Sequence, residues 1–136
     1  MPLIFGPQLI GQTEKTLNAL LKTILGDQLT EAQWVTLRIA QLLESRISSN
    51  DALARAVSDR AHFSDARALV GELTTAGLLD GGQLTRAGEA VVSDIELQIA
   101  ERTDPVWAGL SPEDVAAASR VLNEVLRRAR STLAQA

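Results

Sequence analysis

The sequence contains no cysteine. That removes disulfides, thiolate zinc sites, iron–sulfur clusters and thiol-based redox switching together. It contains one histidine, His62, so a metal site would have to be built almost wholly from carboxylates and a histidine general base has a single candidate. No apolar run approaches the ~18–20 residues that a membrane span needs. The start, Met1-Pro2-Leu3-Ile4-Phe5-Gly6, lacks a basic flank and a long apolar core, so no signal peptide is expected. Lysine is scarce too, Lys15 and Lys22 being the only two, and the remaining basic residues are arginines. A net charge of −4 argues against a surface that grips nucleic acid through charge alone. The expectation from these absences is a cytoplasmic protein without a metal, cofactor or membrane segment.

What is present is an ordinary globular composition, 46% hydrophobic and 22% charged over 136 residues. That length fits one domain, 1–136, and can bury roughly two-thirds of its unfolded surface without a staple. The pattern is helical. Ile10, Leu17, Leu20, Leu21 and Ile24 recur at helical spacing from Gln8 to Leu25, with Gly26 as a stop. Thr30 and Gln33 form a capping-box pair, with Leu29 and Trp34 at the staple positions of a helix expected to reach about Arg46 and to bury Trp34, Leu37 and Leu42 or their neighbours.

Ser48-Ser49-Asn50 offers a cap for a short helix from Asp51 to Val57. A polar bridge from Ser58 to Phe63 then leads to Ser64 as the expected cap of a helix from Asp65 to about Thr75. That helix places Ala66, Leu69, Val70 and Leu73 on one face and ends at Gly77. Leu78-Leu79-Asp80-Gly81-Gly82-Gln83-Leu84-Thr85 reads as a tight hairpin, because a type I′ turn needs positive φ at two positions. Thr85 is placed to cap a helix with Val91, Ile95 and Ile99, which Asp104-Pro105 is expected to stop. Ser111-Pro112-Glu113-Asp114 opens a last helix striped by Val115, Ala118, Leu122, Val125, Leu126, Ala129 and Leu133.

This order is that of a mainly α winged helix-turn-helix domain with a very short β-hairpin wing. The helix-turn-helix part falls at 28–88, and the flanking helices, 7–26 and 89–136, carry apolar faces too long for one small domain to cover. A second copy is the expected cover, making a homodimer.

Four stretches resemble the MarR family of bacterial regulators. They are Leu29-Thr30-Glu31-Ala32-Gln33-Trp34-Val35-Thr36-Leu37-Arg38, Leu53-Ala54-Arg55-Ala56-Val57, Leu69-Val70-Gly71-Glu72-Leu73-Thr74-Thr75-Ala76-Gly77-Leu78-Leu79 and Leu84-Thr85-Arg86-Ala87-Gly88. The resemblance implies a homodimer joined through its terminal helices and a recognition helix in the major groove of double-stranded DNA. It also implies a small aromatic effector between the dimerisation and DNA-binding parts. The sequence departs from the family in its wing, which is cut to Asp80-Gly81-Gly82-Gln83 and has no arginine to enter the minor groove.

The candidate DNA-binding residues are Arg55, Arg60, His62, Ser64, Asp65, Arg67, Ala68, Gly71 and Arg86. With Ala66, Leu69, Val70 and Leu73 inward, helical geometry points Ser64, Ala68, Gly71 and Thr75 outward, flanked by Arg67 and Asp65. Small residues allow close approach but supply few base-edge hydrogen bonds, which leaves Arg67 as the strong candidate for a guanine contact or else a partner for Asp65. Arg55, Arg60 and Arg86 suit phosphates, and His62 is a phosphate contact or a surface loop residue. From Asp51 to Gly88, four arginines face five acids, a net of −1, so off-target binding is expected to be weak. Trp34 and Arg38 are the candidate effector-pocket residues, although staple and core packing account for Trp34 more directly.

His62, Ser64 and Asp65 do not make a triad, since side chains on one helical turn diverge. No other nucleophile–base pair or metal constellation can be assembled, so an enzyme is not expected. The function read from the sequence is a DNA-binding transcriptional regulator acting on a pseudo-palindromic operator as a homodimer. The alternative is a wing-less MarR-like protein-interaction module that has lost sequence-specific DNA binding.

Overall fold

Thr30 shows how local sequence sets the architecture. Its Oγ1 accepts the Gln33 N–H at 3.1 Å, and its own N–H donates to Gln33 Oε1 at 3.0 Å. This reciprocal box starts a helix at Glu31 by satisfying two otherwise orphaned groups. A computed structural model describes residues 2–136, and among them are six helices and one hairpin: α1 (Pro7–Leu25), α2 (Glu31–Leu42), α3 (Asn50–Ala61), α4 (Ala66–Thr75), β1 (Leu79–Asp80), β2 (Gln83–Leu84), α5 (Arg86–Trp107) and α6 (Pro112–Ala134). The protein is therefore mainly helical with a small two-stranded antiparallel sheet. No helix among the described residues is long and apolar enough to cross a membrane.

The chain divides into two compact units, one ending at Arg102 and the other running from Thr103 to Ala136. The first holds the core. Leu37, Leu53, Val57, Val70, Leu73, Leu79, Val92 and Ile95 are all buried, and they come from α2, α3, α4, β1 and α5. Trp34 is 5% exposed and Leu29 is buried in the same cluster, as their staple positions predict. Helix α3 packs on α4, and α2 packs on both. The inward face expected for the fourth helix, Ala66, Leu69, Val70 and Leu73, is its buried face.

Several boundaries differ from the sequence expectation. Helix α2 stops at Leu42, not near Arg46, and the chain continues in turns through Arg46. Leu42 is exposed, while Ile39, Ala40 and Leu43 fill the core. Ser49 caps α3 by accepting the Ala52 N–H at 3.0 Å, and α3 runs on to Ala61 instead of ending at Val57. Ser58, Asp59 and Arg60, expected as a bridge, form its exposed last turn. His62 ends it at φ 59° and ψ 29°, donating its N–H to the Ser58 carbonyl. It is the one non-glycine residue with positive φ among those described.

Asp65, not Ser64, precedes α4. With ψ at 33° its backbone is not extended, and its side chain makes no capping bond. The other end of α4 is closed by a Schellman motif, with Leu78 N–H to Leu73 O and Gly77 N–H to Thr74 O, both at 3.0 Å, and Gly77 at φ 83°. Pro105 does not stop the fifth helix. It lies inside α5, which continues to Trp107. Proline removes one hydrogen bond, and the position is exposed, where water satisfies the freed carbonyl.

The hairpin forms as expected. Leu79 pairs with Leu84 and Asp80 with Gln83, and Gly81 and Gly82 take φ of 58° and 81°. Thr85 joins two elements: its hydroxyl donates to Gly77 O at 2.6 Å and accepts the Gly88 N–H at 3.0 Å.

In the second unit, Ser111 caps α6 through the Asp114 N–H at 3.5 Å, with Pro112 at the first helical position. No residue of α6 is buried. Glu124 sits between Arg127 and Arg128, with nitrogen–oxygen distances of 2.5 and 2.7 Å. Their hydrogen bonds lower its pKa to about 2.

Candidate nucleic-acid interface

The α3–turn–α4 segment places the candidate DNA-binding residues as follows. Four residues, 62–65, separate the two helices, and a groove of about 290 Å³ opens where they meet, lined by residues of both helices and of the intervening turn. Arg55 and Ser58 reach it from α3, Phe63, Ser64 and Asp65 from the turn, and Arg67 from the first turn of α4. The structure thus brings together Arg55, Ser64, Asp65 and Arg67. Arg60, His62 and Arg86 are exposed and lie outside this lining.

Electrostatically the groove is mixed. Arg67 approaches Asp51 at 3.8 Å with side chains 84% and 71% exposed, a geometry that holds the guanidinium only weakly in water. Its ion-pair partner is Asp51 and not the adjacent Asp65. Among the described residues, the side chains of Arg55, Arg60 and Arg86 form no ion pair or hydrogen bond. No side chain caps α4, and its first residues Ala66 and Arg67 line the same groove as Arg55, an arrangement that favours an anion.

The exposed face of α4 carries Ala68, Gly71 and Thr75. Glu72 flanks it on the side away from Arg67, within 3.4 Å of the Gln33 amide nitrogen. Opposite charges therefore border a strip of small side chains.

The turn at 80–83 is held inward. The Gln83 amide donates to the Glu44 carbonyl at 2.8 Å and to the Ile47 carbonyl. A Cβ on Gly82 would meet Ser49 O at 2.5 Å and Ile47 Cγ2 at 2.6 Å. The hairpin is therefore clamped to the connection between α2 and α3. Sequence reasoning identified the turn and missed the clamp. The signal for it was Gln83, a long amide where a two-residue turn needs no particular side chain.

Trp34 and Arg38 are adjacent. The Arg38 guanidinium lies 5.7 Å from the Trp34 ring centre and also donates to Glu96 and Gln41, each at 2.6 Å. A groove of about 440 Å³ is lined by Val35, Arg38, Ile39, Gln41 and Leu42, without Trp34. Glu96 reads in the sequence as a surface charge, because its partner Arg38 is 58 residues away. Compared with family models, curated proteins and solved structures, the chain matches none.

Proposed function

We propose that the protein is a homodimeric DNA-binding transcriptional regulator built on a winged helix-turn-helix with a vestigial wing, resembling the MarR family. The observation that carries this reading is the α3–α4 groove, where Arg55, Arg67, Ser64 and the uncapped start of α4 converge. Convergent cations and free backbone N–H groups at a helix start suit a phosphate. The small exposed residues of α4, Ala68 and Gly71, permit the close approach that a major-groove helix requires. In this reading Arg55 holds the backbone, Arg67 reads a base edge, and Arg60, Arg86 and His62 add peripheral contacts. A small aromatic acid acts as effector by displacing Glu96 from Arg38 at the Val35–Leu42 groove.

Selection of DNA by the purified protein from sheared genomic fragments tests the reading. Enrichment of a few fragments sharing a palindrome is the expected result. Arg55→Ala then weakens binding uniformly and lowers the salt slope by about one, whereas Arg67→Ala relaxes one base position. A folded dimer that enriches no fragment overturns the proposal. The observation favouring the second reading, a protein-interaction module, is that the Asp80–Gln83 turn is clamped inward without a cation while Glu72 borders the exposed α4 face. In that case the same face captures a protein partner and no DNA.

A further inference from the structure

Ser64 carries a hydroxyl that the fold does not use. It is the residue expected to cap α4, but α4 has no side-chain cap, and the Ser64 hydroxyl makes no hydrogen bond among the described residues. Its neighbour Phe63 is half-buried against the core and pins the turn, whereas Ser64 is exposed. Ser64 lines the α3–α4 groove together with Arg55 and Arg67. Arg67 has only its loose ion pair to Asp51, at 3.8 Å, and the Arg55 side chain has none. An exposed serine beside two available guanidiniums is the arrangement in which a phosphate on the hydroxyl gains charge-assisted hydrogen bonds.

Ser58 lines the same groove, but it belongs to α3, whose hydrogen bonds hold its backbone. Ser64 lies in the connection 62–65 between the helices, and exposed irregular segments are the ones that a modifying enzyme can draw into its cleft. The charge balance around Ser64 makes the added group decisive. Arg55, Asp65 and Arg67 line the groove and Asp51 pairs with Arg67, so cations and acids cancel. Phosphoserine adds a charge of about −1.5 to −2 at pH 7. The groove then turns from neutral to anionic, its two arginines are drawn inward, and a second phosphate is repelled.

We propose that Ser64 is a regulatory phosphorylation site, and that phosphoserine there occupies Arg55 and Arg67 in place of the DNA backbone and so switches binding off. This rests on the DNA-binding reading above and adds its regulation. A protein serine kinase supplies the group from ATP. The bond from Ser64 Oγ to the γ-phosphorus forms as the bond from that phosphorus to the bridging oxygen breaks, ADP leaves, and the hydroxyl proton passes to the kinase's base. A phosphatase reverses the switch by hydrolysis, returning the serine and releasing inorganic phosphate.

Two measurements test the proposal. Trypsin cuts after Arg60 and Arg67, and the resulting peptide, 61–67, contains one hydroxyl residue, Ser64. Mass spectrometry of the full chain isolated from its own cells, sampled through growth and stress, is expected to find this peptide carrying one phosphoryl group, with fragment ions placing it on Ser64. Absence of the phosphopeptide throughout, or a phosphoryl group on His62 instead, overturns the site.

Phosphoserine is also incorporated during synthesis of the full chain at position 64 and, as a positional control, at the exposed Ser93 of α5. Circular dichroism checks that both proteins fold as the wild type does. On fragments that the wild-type protein selects, phosphoserine at 64 is expected to weaken binding about a hundredfold and to regain wild-type affinity after phosphatase treatment. The salt slope is expected to fall by about 3.6, because two arginines are withdrawn on each of two protomers. The control binds as the wild type does. Unchanged affinity or salt slope at position 64, or equal weakening at both positions, overturns the switch and leaves the regulator reading standing. A wild-type chain that selects no DNA overturns the regulator reading, and the switch with it.

Discussion

Gly81 and Gly82 allow a controlled perturbation of the hairpin. Both have positive φ, so alanine at either position meets the backbone cost of a left-handed conformation, about 1 kcal/mol and partly offset by a stiffer unfolded chain. They differ in surroundings. A Cβ on Gly81 meets nothing within 4 Å, whereas one on Gly82 meets Ser49 O at 2.5 Å and Ile47 Cγ2 at 2.6 Å. An ordinary contact is near 3.5 Å, so the second substitution must move a backbone carbonyl, which adds about 1–3 kcal/mol of overpacking. Gly82→Ala is therefore expected to destabilise the protein by about 2 kcal/mol more than Gly81→Ala, a difference of about 8 °C in midpoint. Urea and thermal unfolding followed by circular dichroism measure both variants side by side. If the two lose stability equally, the hairpin does not rest on the connection between α2 and α3, and the clamp is wrong.

Three further outcomes are expected. Gln83→Ala leaves the Glu44 and Ile47 carbonyls without their side-chain partner and should cost about 1–2 kcal/mol in urea unfolding; an unchanged midpoint would show that water replaces the amide without loss. His62→Gly removes a Cβ from a left-handed position and should raise the thermal midpoint by a few degrees, a gain of up to about 1 kcal/mol, whereas a fall would mean that the imidazole holds the turn. Glu124, with its pKa lowered from 4.5 to about 2, contributes fully above the unfolded value. That contribution declines as pH falls from 4.5 through 2. A carboxyl NMR titration with a midpoint near the unshifted 4.5 would show that the two arginines do not hold it.

Elements defined by neighbouring residues were legible in the sequence. The Thr30–Gln33 box, the two glycines of the hairpin, the stop at Gly77 and the inward face of α4 each depend on contacts between near neighbours in the chain, and each stands where the pattern places it. Boundaries set by exposure were not legible. Ser58-Asp59-Arg60 looks like a bridge because it is polar, yet it continues α3 as a solvated turn. Asp104-Pro105 looks like a stop, yet an exposed helix tolerates one missing bond. Ser64 looks like a cap, but α4 starts one residue later, after an αL turn at His62, and Asp65 before it makes no side-chain capping bond. At the candidate site, Arg55, Ser64, Asp65 and Arg67 were named from helical geometry and line one groove. The partners of Arg67, Arg38 and Gln83, which are Asp51, Glu96 and the carbonyls of residues 44 and 47, lie far off in the chain, where periodicity does not register them.

The two tryptophans fall one to each compact unit, Trp34 buried at 5% exposure and Trp107 at 54%. Indole emission shifts to the red with hydration, so the chain carries two optical reporters with distinct starting colours. Unfolding of the first unit moves a blue component red, and any partner that covers the end of α5 moves a red component blue. Selective excitation of the indoles therefore follows folding and association as opposite spectral shifts, with no label attached.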